Sequence, residues 1–229
     1  MNPQQSLGTA SGTLSPADRA RLEYDALTRQ LDRMRAMQYA YNRKFFSLLL
    51  VSTLVALGLL LWDNWLAGLV VAFGLVSTGV TASFFLHFCD FARVHARALE
   101  ARINGLLGAR VLIASELEAD YFYPHARPKF SGFSFDRPLS FFSVYTLHFS
   151  AVWGALILWS AIKTGRYFSG DHCLGWGFLW LTWTCIHAVY LRWWFMASGA
   201  ERRMAERLGE AYGPACVPIG DGPGTTPPA

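Results

Sequence analysis

Four apolar blocks, Phe45–Trp62, Trp65–Phe88, Phe141–Ile162 and Leu174–Met196, decide most of what this chain can become. A helix rises about 1.5 Å per residue, so each block is long enough, or nearly so, to cross a hydrocarbon core of roughly 30 Å. The only formal charge inside them is Arg192, close to a predicted helix end. A composition of 53% hydrophobic and 16% charged residues does not by itself exclude a soluble domain. The clustering does, and the chain reads as a membrane protein.

The formal net charge of +4 invites a nucleic-acid reading, but the basic residues sort by segment instead. Seven Lys or Arg precede the first block, none lies in the Asp63-Asn64 turn, and seven lie between the second and third blocks. Only Lys163 and Arg166 occupy the third connection, and four basic residues follow from Arg192 onward. The positive-inside rule then predicts a multi-pass protein of the cell membrane with both termini and the central insert cytosolic. Attraction to anionic lipid headgroups explains the excess charge, and no nucleic-acid partner is expected. No cleavable signal is expected either, because the first apolar block follows more than forty residues carrying both charge signs. Cys89 and Cys216 fall on the cytosolic side, Cys185 within a span and Cys173 in an outer loop, which excludes a disulfide framework.

Residues 1–14 are polar and predicted to be disordered. Ser15-Pro16-Ala17-Asp18 is a helix start, with a serine cap, a first-turn proline and an acid at the positive helix end. From there Tyr24, Leu27, Leu31, Met34, Tyr41 and Phe45 recur at three- and four-residue steps, with Gln38 as the one polar position. That pattern is a heptad seam, and mixed charge on the opposite face argues against a helix lying flat on the membrane. The second span continues into the insert, where Ala96, Leu99, Ile103, Leu106, Ile113 and Leu117 fall on another such seam, interrupted by Arg110. Antiparallel spans bring the two seams together as one cytosolic hairpin. Gly105 and Gly108, costly inside a helix, predict a break that folds Val111–Asp120 back toward the bilayer.

The insert ends in an aromatic and basic run. Tyr121, Tyr123 and Phe133 sit among Arg127, Lys129 and Arg137, a mixture suited to the headgroup region, where rings and bases meet lipid phosphate. A catalytic loop is the sharper alternative, because Glu116, Glu118, Asp120, His125 and Asp136 lie nearby; loop salt bridges are the plainer account. The C-terminal segment 197–229 reads as a short charged helix, opened by the capping pattern from Ser198 and stopped at Gly213-Pro214, and then a Gly/Pro-rich tail.

Two histidines lie inside predicted spans. His148 and His187 sit about 10 and 13 Å from the cytosolic helix ends, and an ionisable residue at such depth is a functional candidate. An interhelical hydrogen bond, a haem or metal between the two rings, and a proton relay are the competing readings. Trp176, Trp180, Trp183, His187, Tyr190 and Trp194 form one stripe of the fourth span, either a cavity wall or bulky packing. His87, Asp90 and Arg93 follow at three-residue steps, too few ligands for a metal shell and better read as an ion pair. Gly68, Ala72, Gly79 and Ser83 permit close helix approach.

The expected fold is all-α: a four-span transmembrane bundle of two helical hairpins, with a cytosolic antiparallel hairpin (15–44 with the start of 89–140) extending the first. No catalytic string such as G-x-S-x-G, H-E-x-x-H or a P-loop occurs. The expected role is a non-enzymatic scaffold or interaction subunit, binding a protein partner or a second copy through Tyr24, Leu27, Leu31, Met34, Leu99, Ile103, Leu106, Ile113 and Leu117. The alternatives are a redox protein with a haem or metal between His148 and His187, and a small oligomeric pore or transporter.

Overall fold

A computed structural model of the chain describes residues 15–62, 64–121, 141–167, 170–192 and 200–213. The expected disordered ends and the side chains of Tyr123, Arg127, Lys129, Phe133 and Arg137 lie outside these residues. So do those of His125, Asp136 and Trp194. Among the described residues the chain forms helices α1 (Pro16–Leu61), α2 (Trp65–Leu107), α3 (Ala114–Tyr121), α4 (Phe141–Gly165), α5 (Asp171–Arg192) and α6 (Ala200–Tyr212), and no strand.

The ends of these helices follow from local chemistry. The Ser15 side chain accepts from the Asp18 backbone N–H at 3.1 Å, and Pro16 occupies the first turn, where its missing N–H costs nothing. Asn64 Oδ1 accepts from Leu66 N at 2.9 Å and starts α2 the same way. Gly108 ends α2 at φ 63°, a left-handed conformation that carries a steric penalty for any residue with a Cβ. The break foreseen at the glycines is therefore a C-cap, and the seam predicted to run through Leu117 stops at Leu107. Ile113 and Leu117 belong instead to the turn and to α3.

Four helices are long and apolar enough to cross a membrane: α1, α2, Val144–Gly165 of α4 and His172–Arg192 of α5. At 1.5 Å per residue the 46-residue α1 measures about 70 Å, so about 40 Å of it extends beyond a single bilayer core. The other long helix, α2, is matched to it and antiparallel: Leu60 packs near Val71, Phe45 near Ala82, and Leu27 near Leu99 and Ile103. The two share one continuous interface from the apolar half of the molecule into a polar extension.

The apolar half is assembled on α2. Gly68 lets α4 come so close that a Cβ there would meet Thr164 Oγ1 at 2.6 Å and the Ser160 carbonyl at 3.1 Å. Ser160 Oγ donates to the Gly68 carbonyl, and Trp153 Nε1 donates to Thr53 Oγ1 of α1 at 2.8 Å. Lys163 Nζ donates to the Leu60 and Trp62 carbonyls, capping the negative C-terminal end of α1 with a cation. On another side of α2, Trp180 Nε1 donates to the Ala72 carbonyl at 3.2 Å, and Trp183 and Tyr190 lie against Phe73 and Phe84. The aromatic stripe of α5 is thus a packing seam. The outward faces of this half are apolar, with Leu50, Val51, Leu54, Leu147, Leu158, Phe178, Ile186 and Val189 all more than half exposed. A surface of that character suits lipid, which asks for no hydrogen bonds.

Candidate functional site

The polar extension is organised around buried polar side chains, which are costly unless paired. Its apolar seam consists of Leu27, Leu31, Met34, Ala96, Leu99 and Ile103, all buried in one cluster. Tyr24, Leu106, Ile113 and Leu117, expected on the same seam, remain 37–49% exposed. The seam therefore divides: one part closes the hairpin upon itself, and the other faces outward near its tip.

Behind the tip, α3 is folded back onto the hairpin by two side chains of α2. Asn104 Oδ1 accepts from Val111 N at 3.0 Å and Leu112 N at 2.8 Å, while its Nδ2 donates to the Leu112 carbonyl at 2.8 Å. One amide thus replaces a turn of backbone bonding. Glu100 Oε2 accepts from Ser115 N at 3.0 Å, placing a carboxylate at the positive start of α3. The other Glu100 oxygen accepts from Arg35 Nη2, which also donates to Ser115 Oγ at 3.0 Å. Arg35 Nη1 reaches Glu118 Oε1 at 2.7 Å, and Gln38 Nε2 donates to Glu118 Oε2 at 2.9 Å.

This network joins α1, α2 and α3 through one guanidinium and two carboxylates, all largely buried. Burial alone would lower the pKa of Arg35, but Glu100 and Glu118 outweigh it and hold the guanidinium above its ordinary value. The forked geometry is what lets a single cation serve two acids. Nearer the start of α1, Glu23 Oε1 accepts from Arg102 at 2.6 Å across the same hairpin. Arg110 pairs with Glu116 around the turn.

A second polar cluster seats α6. Leu208 is buried against Val94 and Ala98 of α2, flanked by Met204 and Tyr212. Beside it His95 Nε2 lies 2.9 Å from Tyr212 Oη and 3.3 Å from Gln30 Nε2 of α1. Burial lowers the His95 pKa and raises that of Tyr212, so both are neutral near pH 7.

The other sequence-predicted positions fall as follows. Arg93 donates to Asp90 at 3.2 Å, one turn along α2, as an ion pair. Tyr121 closes α3. His148 is exposed on α4 with its ring edge-on to Phe149. His187 lies 2.8 Å through Nδ1 from the Trp183 carbonyl and its ring packs on Trp183. Each histidine thus contacts its own helix, and among the described residues the two rings do not meet. No group of three or more His, Cys, Asp or Glu able to hold a metal occurs among the described residues.

No family model matches the chain, and no curated protein or solved structure is similar to it. The geometry of the extension must therefore carry the functional reading.

Sequence reasoning missed Arg35, Glu100, His95, Gln30 and Tyr212 as a set. Arg35 and Gln30 occupy a charged helix face that looks solvated, and Tyr212 is far away in sequence. The available signal was Glu100, an acid one residue after the apolar seam position Leu99.

Proposed function

We propose that this protein is a multi-pass protein of the cell membrane that acts as a non-enzymatic interaction subunit. Its four apolar helices anchor it, both termini and the helical extension lie in the cytosol, and the extension offers its tip to a protein partner. The orientation is supported by the basic residues, which fall almost entirely on the segments that flank or build the extension.

One observation carries the reading: at the tip Leu106, Leu107, Val111, Ile113 and Leu117 remain 37–62% exposed beside the polar network of Arg35, Glu100 and Glu118. Contiguous exposed apolar side chains of this kind mark interaction sites, and these sit beyond the reach of the bilayer core. In the network behind them Arg35, Glu100 and Glu118 are each held by ion pairs and hydrogen bonds. That network suits a rigid mount for the tip better than acid–base chemistry, which needs an available group.

A photo-crosslinking residue placed at Val111 or Leu117 tests this in native membranes. The expected product is a discrete higher-mass species that disappears when Leu107 and Ile113 are changed to serine. Absence of any product at both positions, with the protein folded and membrane-inserted, counts against the reading.

A further inference from the structure

We propose that His95, Gln30 and Tyr212 form a proton-operated latch that holds α6 on the α1–α2 hairpin and lets it go when His95 takes up a proton. The argument starts from donor and acceptor identity. Gln30 Nε2 only donates, so the ring nitrogen facing it at 3.3 Å accepts. The same nitrogen meets Tyr212 Oη at 2.9 Å. With Nε2 as the acceptor, the neutral ring carries its proton on Nδ1, which is buried without a hydrogen-bond partner. A proton added at Nε2 turns the acceptor into a donor facing the Gln30 amide, leaves Tyr212 Oη as the group there that can accept it, and puts a full charge on a residue only 9% exposed.

Among the described residues no carboxylate faces the ring to compensate that charge. On α1 its neighbour is the neutral Gln30, on α2 it is Phe91, and on α6 it is Tyr212. Arg102, two helical turns further along the same stripe of α2, is committed to Glu23 of α1. Glu100 lies on a different face of α2 and is committed to Arg35 and Ser115, with Glu118 of α3 on the far side of that guanidinium. Of the charged residues of α6 whose side chains are described, Arg203, Glu206, Arg207 and Glu210 are exposed or half-exposed, and Arg207 pairs with Glu210 at 2.9 Å. Burial accordingly lowers the His95 pKa in the docked state.

The apolar part of the docking contact is small, with Leu208 and Met204 on Val94 and Ala98, so a change at the polar end is felt by the whole helix. Release would uncover Val94 and Ala98 as a new apolar strip on α2.

The sign is fixed by linkage. A histidine whose pKa is lower when docked favours the undocked state as pH falls below its free value of about 6.5. Docking is complete above that value and weakens by up to about tenfold per pH unit below it, until the docked form also protonates. Hydrogen exchange of α6 in the full chain, reconstituted in lipid nanodiscs and corrected for the intrinsic rate, reads this directly. The expected result is a fall in α6 protection of up to about fivefold between pH 6.5 and 5.5, with protection at Leu27–Met34 and Ala96–Ile103 unchanged. H95Q should lose that slope, while Y212F should lower protection by about two- to tenfold at every pH and keep it. A flat wild-type profile from pH 8 to 5.5 overturns the proposal whatever the variants do, and so does a slope that survives in H95Q.

Discussion

The apolar half of the molecule and its polar extension share the same two long helices but satisfy their buried polar atoms from different partners. In the apolar half, the side-chain donors that reach across to another helix go largely to its backbone carbonyls: Ser160 to Gly68, Trp180 to Ala72, Lys163 to Leu60 and Trp62. In the extension, charge meets charge: Arg35 with Glu100 and Glu118, Arg102 with Glu23. The contrast follows from the surroundings. Hydrocarbon offers nothing to an unpaired ion, so a helix pair there relies on close approach and on carbonyls already present. Beside water, a partly buried ion pair is tolerable when its hydrogen bonds are complete, and it fixes one arrangement of three helices.

The largest expected effect breaks the extension. Arg35→Met removes the guanidinium that joins Glu100 and Glu118 and leaves two mostly buried carboxylates together; the cost is about 3–5 kcal/mol. Denaturant unfolding in nanodiscs should show it as early loss of α3 and the hairpin tip. Survival of the four apolar helices in the same variant would sharpen the division between the halves.

The matching test in the apolar half is Gly68→Val. Its side chain would overlap Thr164 and the Ser160 carbonyl, so α4 must move off α2 at a cost of about 1–3 kcal/mol. Thermal stability in detergent should fall, and Thr164→Ala in the same chain should recover part of it. Asn104→Ala comes next: two backbone N–H groups lose their acceptor, and α3 should gain hydrogen exchange by a free energy of about 1–2 kcal/mol. Smallest is Trp153→Phe, which keeps most of the ring but deletes the bond to Thr53, for about 0.5–1.5 kcal/mol.

The sequence carried the helix plan well, because periodicity, caps and apolar length all act locally. Ser15-Pro16 announced a helix start, Asp63-Asn64 a turn, and Gly105 with Gly108 a break. What it did not carry was pairing across distance. Arg35 reads as one more solvated arginine until α3 is folded back beside it. His95 reads as an ordinary member of a helical run until Tyr212 arrives from the far end of the chain. His148 and His187 drew notice in the sequence because histidine is rare in a span, yet among the described residues the ring and hydrogen-bond partners of each lie on its own helix. The aromatic stripe of α5 was legible as a stripe, but whether it lined a cavity or packed a helix depended on where α2 lay.

The central proposal is that the polar extension, α6 and both termini share one face of the membrane, opposite the two short turns. Single cysteines in a chain whose own four have been replaced test it with a membrane-impermeant maleimide in sealed vesicles of known orientation. The account predicts that cysteines at Arg19, Arg97 and Arg203 label only from the cytosolic face, and those at Asn64 and Arg166 only from the opposite one. Labelling of Arg19 and Arg203 positions from opposite faces, or of Arg97 and Arg166 from the same face, would contradict it.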